Sequence, residues 1–256
     1  VNLAGDGERL PSTIGGMVDL ALETYVERLP LYLLLALVIV AAVGAIDYLV
    51  PAADQQGLLL RGAIEEWVYV LLSAFAITAV ALDIGERVAG ERSTTRVVLR
   101  AALTRWARVA LTLILVQFIV DLTAPAGAMS SEPTDPLTLA LAPVIWLFWG
   151  VLSLAPPLAA LSTDRGAAGA VLSLLRAVGF ALRAANLPRL ALIGIVTVAP
   201  ALLETVLNDK APHSFVHAAF WCAFPIDALA TAPLAAIQTA FALDFVRRST
   251  ATPPRR

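Results

Sequence analysis

The sequence predicts an all-α polytopic membrane protein: six transmembrane helices arranged as three hairpins, each preceded by a cytoplasmic amphipathic interfacial helix. Three observations predict this. Of 256 residues, 59% are hydrophobic and only 15% charged, with a mean hydropathy of +0.81. Soluble domains run at roughly 45–50% apolar and about 25% charged. Six stretches approach the about 20 mainly apolar residues that a membrane span requires. Finally, the basic residues fall almost entirely on one side of those stretches.

The first span is read from Pro30 to Pro51 and contains Asp47. The second is Trp67 to Leu82, extended toward Leu58 if the Arg61–Glu65 pair enters the outer interface. The third runs from Val109 to about Met129 and carries Asp121. The fourth, Leu137 to Leu161, has no charge. The fifth is Leu190 to Leu207 with Glu204, and the sixth lies within Ser214 to Leu243 with Asp227. Pro30 and Pro188 stand at the starts of spans one and five, where a missing N–H does least harm. Trp67, Tyr69 and Trp106 sit beside charges at span ends, where amphipathic rings belong.

With the N-terminus inside, the four cytoplasmic segments hold 2, 6, 4 and 4 basic residues. The three outer segments hold 1, 0 and 1, namely Arg61 and Lys210. Basic loops stay cytoplasmic, so both ends are expected inside. Lys210 is the single lysine, and the bias to Arg and Ala points to a GC-rich bacterial genome. The expected location is therefore the bacterial inner membrane. Residues 1–29 are acidic and do not read as a cleavable secretory signal.

Two landmarks recur with one period. The junctions Glu27-Arg28-Leu29-Pro30, Trp106-Ala107-Arg108-Val109 and Ala185-Asn186-Leu187-Pro188 are 79 residues apart. Asp83, Asp164 and Asp244 end the even spans at intervals of 81 and 80, followed by Arg87, Arg165 and Arg247. This predicts internal repeats over 12–87, 92–165 and 166–248 within a single membrane domain, 1–256. Any unit of two spans and two loops needs a similar length, so the period also has a plain geometric reading.

The helix before each odd span is amphipathic. Asp19, Glu23 and Glu27 form an acidic stripe opposite Val18, Leu22, Tyr25 and Val26. Arg92, Arg96 and Arg100 form a basic one opposite Leu99, Leu103 and Trp106. Arg176 and Arg183 mark one face of the third helix. Such helices suit the membrane interface with the apolar face down. Arg92, Arg96, Arg100, Arg108, Arg176 and Arg183 are the candidate contacts for lipid headgroups or partner proteins; solvated faces, or pairing of acidic with basic helices, are the alternatives.

Ionisable residues inside spans are functional candidates by default. Asp47, Asp121, Glu204 and Asp227 sit toward the outer ends, and Asp121, Glu204 and Asp227 are a candidate acidic vestibule, with headgroup water as the plainer destination. Gln117 lies one turn below Asp121. Pro143, Pro156, Pro157, Pro200, Pro225 and Pro233 are expected to break spans four, five and six. A break at Pro225 would lay residues 213–224 along the outer surface. His213 and His217, at i and i+4, are weak metal-ligand candidates, with Asp209 one turn earlier. With no other histidine and a single cysteine, Cys222, catalytic triads, zinc hydrolase sites and disulfide frameworks lack material. No cofactor, catalytic residue or nucleic-acid motif is indicated.

The stretch from Leu154 to Pro200 contains Ala155-Pro156-Pro157-Leu158-Ala159-Ala160 and Asp164-Arg165-Gly166-Ala167-Ala168-Gly169-Ala170. It resembles the membrane domain of glycerophosphodiester phosphodiesterases. The exit Ala232-Pro233-Leu234 through Phe241-Ala242-Leu243-Asp244-Phe245-Val246-Arg247-Arg248 is similar to that family's last span. The resemblance implies a six-helix membrane domain with interfacial helices between hairpins. It implies no phosphodiesterase activity, because catalysis in that family belongs to a separate soluble barrel domain, and no catalytic residue carries over.

The expected function is a non-catalytic integral membrane scaffold or accessory protein, with membrane lipids and other membrane proteins as partners. Two alternatives stand beside it. One is a structural subunit of a larger photosynthetic or respiratory complex. The other is a secondary transporter or channel using the outer acids.

Overall fold

In lipid every backbone polar group must be satisfied within the protein, which leaves helices as the economical solution for apolar runs such as these. The computed structural model describes residues 10–50, 55–91, 93–123, 136–164, 166–181, 186–197 and 216–251. Among them there is no strand. The helices are α1 Ile14–Glu27, α2 Leu29–Leu49, α3 Gln55–Val88, α4 Thr95–Thr123, α5 Pro136–Leu152, α6 Ala155–Leu161 and α7 Gly166–Ala181. α8 Leu187–Thr197 and α9 Val216–Ala251 complete the described set.

Among the described residues, five helical segments are long and apolar enough to cross a membrane: Leu29–Ile46, Gln56–Val88, Thr95–Thr123, Leu141–Leu161 and Leu229–Arg248. The fifth expected span falls on α8, a shorter apolar helix, and residues 198–215 lie outside the described residues.

Local chemistry explains most boundaries. Thr13 caps α1, its hydroxyl accepting from the Gly16 N–H at 3.1 Å. α1 stops one residue before α2 because Pro30 forbids a continuous ladder; Arg28 takes a non-helical backbone (φ −106°, ψ 16°) between them. At the second junction no proline intervenes. There the expected interfacial helix and span three are instead one 29-residue helix, α4. α3 starts well before Trp67, because Arg61 and Glu65 neutralise each other at 3.6 Å on successive turns.

The prolines act less than expected. Pro143 lies inside α5 without ending it. Pro156 and Pro157 do mark a break, at Ser153-Leu154 between α5 and α6. Pro200 lies outside the described residues. The predicted break at Pro225 does not occur: α9 is one 36-residue helix through both Pro225 and Pro233. A proline holds φ near the helical value and removes only one ladder bond, so packing can keep the helix whole. At about 1.5 Å per residue α9 is about 54 Å long, longer than the roughly 30 Å hydrocarbon layer.

The centre of the molecule is built from α3, α6 and α9, which all pack on one another. Their contact faces are rich in alanine: Ala74, Ala76, Ala79 and Ala81 on α3, Ala155, Ala159 and Ala160 on α6, and Ala235, Ala236, Ala240 and Ala242 on α9. Small residues let backbones approach closely where lipid supplies no hydrophobic drive. α2 rests on α3 and α9, and α4 on α3, α6 and α7. Their outer faces present Leu33, Leu34, Leu37 and Val38, and Phe118 and Leu122. α4 packs on α3 and α7 on α6, each leaning on the helix exit that it follows, and α1, at the start of the chain, packs on α9.

Candidate functional site

The exits of α3, α6 and α9 and the entries of α2, α4 and α8 meet at one end of the molecule. Three charged nodes form there. In the first, Arg28 Nη2 lies 3.3 Å from Asp83 Oδ1, and the Tyr32 hydroxyl donates to Asp83 Oδ2 at 3.0 Å. Tyr32 is held by its ring, stacked on Tyr25 with centroids 5.6 Å apart. Arg28 also donates to the Ser93 carbonyl at 2.6 Å. Arg87 binds Glu27 (Nη2 to Oε1, 3.0 Å) and lies 3.6 Å from Glu23. A cavity of about 840 Å³ opens here between α1, the end of α3 and the connection into α4.

In the second node, Arg176 Nη1 lies 2.8 Å from Asp164 Oδ2, and the Ser162 hydroxyl donates to the same oxygen at 2.8 Å. Arg108 reaches the Ser162 carbonyl at 3.0 Å and Arg105 the Ala160 carbonyl at 3.0 Å. The Ser162 hydroxyl, and after it Arg176, hold the Asp164 carboxyl below its usual value of 3.8. A carboxyl depressed by folding stabilises above its unfolded pKa and loses that contribution as pH falls through the folded one. Melting curves of Asp164→Asn and the parent should therefore differ by a constant amount above about pH 4 and converge in more acid solution. A difference that persists unchanged at pH 2 would contradict this.

The third node is the most densely paired. Asp244 is fully buried and faces Arg189 (Nε to Oδ2, 3.2 Å), Arg248 (Nε to Oδ2, 2.8 Å) and Arg247, which bonds Oδ1. These arginines also hold the chain before α1: Arg247 donates to the carbonyls of Leu10 at 2.6 Å and Pro11 at 3.1 Å. Arg189 and Arg248 donate to the Ser12 carbonyl at 3.2 and 3.4 Å.

One contact recurs in all three nodes. The arginine at an odd-span entry donates to a serine carbonyl in a Ser-Thr dipeptide: Arg28 to Ser93, Arg108 to Ser162 and Arg189 to Ser12. The serines had not been singled out from sequence. The recurrence of Ser12-Thr13, Ser93-Thr94 and Ser162-Thr163 was the signal that would have found them.

The sequence-derived candidates separate into distinct fates. Arg108 and Arg176 bond to Ser162 and Asp164 at the α6 exit, and the Arg176 side chain stays 45% exposed. Arg96 and Arg100 are exposed and form no hydrogen bond or ion pair among the described residues. Arg92 and Arg183 lie outside the described residues. Of the acidic stripe on α1, Glu23 and Glu27 meet Arg87 of α3 and not the basic stripe of α4. Asp121 is exposed and accepts from Gln117 Nε2 at 2.8 Å. Glu204 and His213 lie outside the described residues, and so do the side chains of Asp47, Asp227 and His217. No group of three His, Cys, Asp or Glu side chains that would hold a metal occurs among the described residues.

Compared with family models, curated proteins and solved structures, the chain matches none.

Proposed function

We propose that this chain is a non-catalytic integral membrane scaffold whose cytoplasmic face engages anionic lipid headgroups and partner membrane proteins. The proposal includes six spans as three hairpins, both ends inside, in a bacterial inner membrane. The observation that carries it is the pair Arg96 and Arg100. Every other arginine of the described residues is engaged within the protein, whereas these two point outward, one turn apart. Exposed Val97 and Leu103 lie on the same helix. Free guanidinium groups beside bare apolar side chains match the chemistry of a headgroup layer over acyl chains.

The three nodes also favour a chain of three related units, 12–87, 92–165 and 166–248. Arg28 ties the first unit to the start of the second, Arg176 ties the third to Asp164 at the end of the second, and Arg189 ties the third back to the first. The units thus close into a ring, and a closed ring of paired charges suits a rigid platform better than a moving gate.

A juxtamembrane arginine contributes about 1 kcal/mol of attraction to an anionic surface. Changing both Arg96 and Arg100 to Gln should weaken retention of phosphatidylglycerol by about 30-fold, as read by native mass spectrometry from mild detergent. The difference should shrink in high salt. Unchanged retention at low salt would end the lipid-contact reading.

A further inference from the structure

Arg96 and Arg100 lie on a stretch of chain that is tied down at both ends. Before it, Arg28 of the first node holds the Ser93 carbonyl at 2.6 Å. After it, Arg105 and Arg108 hold the Ala160 and Ser162 carbonyls of the second, each at 3.0 Å. The first half of α4 therefore runs from one node to the other, along the end of the molecule that carries both. The two arginines stand on neighbouring turns of it, with Cβ atoms about 6 Å apart. Exposure recurs there with the helical period, at Arg96, Val97, Arg100, Leu103, Thr104 and Ala107. The other two interfacial helices are unlike it. α1 holds three acids and no basic residue, and the single basic residue of α7, Arg176, is taken by Asp164 at 2.8 Å. Among the described residues, α4 alone presents two guanidinium groups with no hydrogen bond or ion pair.

We propose that this face of α4 binds one diphosphatidyl lipid, in which a single glycerol joins two phosphodiesters, with Arg96 and Arg100 each taking one phosphate. This rests on the proposed lipid contact and names the lipid. A phosphodiester carries one negative charge, so a lipid with one phosphate leaves one of the two guanidinium groups without its anion. Two separate lipids would each have to be ordered at the site. A bridged pair brings the second phosphate in once the first is bound, which makes the second event intramolecular. Arginine suits the task, because its planar fork can hold a phosphate through two parallel N–H···O bonds. Exposed Val97 and Leu103 beside the charges select a lipid over a soluble diphosphate, which has no acyl chain to cover them.

The test is native mass spectrometry of the full chain from mild detergent, titrated with diphosphatidylglycerol in one arm and with phosphatidylglycerol at the same total phosphate in the other. One diphosphatidylglycerol per chain should be held about ten-fold or more tightly than phosphatidylglycerol. Arg96→Gln and Arg100→Gln each remove one phosphate partner at an exposed position, so each variant should melt as the parent does. Each should also bring the two lipids to nearly equal affinity, because the bridge then has only one anchor. Equal affinity of the parent for both lipids, with both lost in the double Gln variant, would overturn the bridged site and leave the simpler lipid contact standing. A preference that survives either single change would overturn the bridged site as well. Full retention of both lipids by the double variant would overturn the site and the lipid contact together.

Discussion

Asp244→Asn is expected to lower stability by about 3–5 kcal/mol, the usual cost of removing one partner from a buried ion pair. The side chain is fully buried, and its loss as an anion leaves Arg189, Arg247 and Arg248 facing one another around a neutral amide. Arg189, itself only 12% exposed, has least access to water and carries most of the penalty. For a chain of this size each kcal/mol is worth about 2–4 °C, so Tm should fall by about 10 °C. The effect should spread to the chain before α1, since the same arginines hold the carbonyls of Leu10, Pro11 and Ser12. Limited proteolysis should then cut there faster than in the parent. Asp164→Asn is the internal control. It occupies the corresponding exit, yet its side chain is 34% exposed and its pairing is screened, so its loss should lower Tm far less than that of Asp244. Equal melting of the Asp244 variant and the parent would show that the node does not hold the fold together.

Gly150→Ala should be the second costly change, and Gly150→Val a worse one. A Cβ at Gly150 would lie 2.6 Å from Gly194 Cα and 2.7 Å from Gly194 N, so α5 and α8 cross backbone to backbone. Backbone cannot swing aside as a side chain does, and the helices must separate to admit even a methyl group. Overpacking of this kind costs about 1–3 kcal/mol, occasionally more. Separation would also stretch the contact of Thr197 Oγ1 with Ser153 Oγ, now 3.1 Å, beside the α5–α6 break. The crossing is asymmetric. A Cβ at Gly194 would meet its nearest atom, the Trp146 carbonyl oxygen, at 3.3 Å. Gly194→Ala should therefore be clearly milder than Gly150→Ala in a thermal melt; the reverse order would contradict this geometry.

Much of the fold was legible from residues in line. The apolar runs marked helices, Pro30 marked the α1–α2 break, and the recurrence of Asp83, Asp164 and Asp244 marked the exits that became the three nodes. The candidate site was legible only in part. An amphipathic pattern says that one face of a helix is polar. It does not say whether that face meets water, headgroups or another helix, and Arg108 and Arg176 went to protein where Arg96 and Arg100 did not. Pro225 was visible too, but whether a proline breaks a helix depends on what packs around it, and α9 is held by α1, α2, α3 and α6.

Length, hydropathy and charge asymmetry thus established an all-helical chain with helices able to cross a membrane. These are sums over neighbouring residues, and burying an apolar run in lipid requires no knowledge of its partner. Which carboxylate has three cations and which has a cavity emerged only from the packed chain. Arg28 and Asp83, or Arg189 and Asp244, are more than fifty residues apart, and a local pattern carries no information about a charge brought in by another helix.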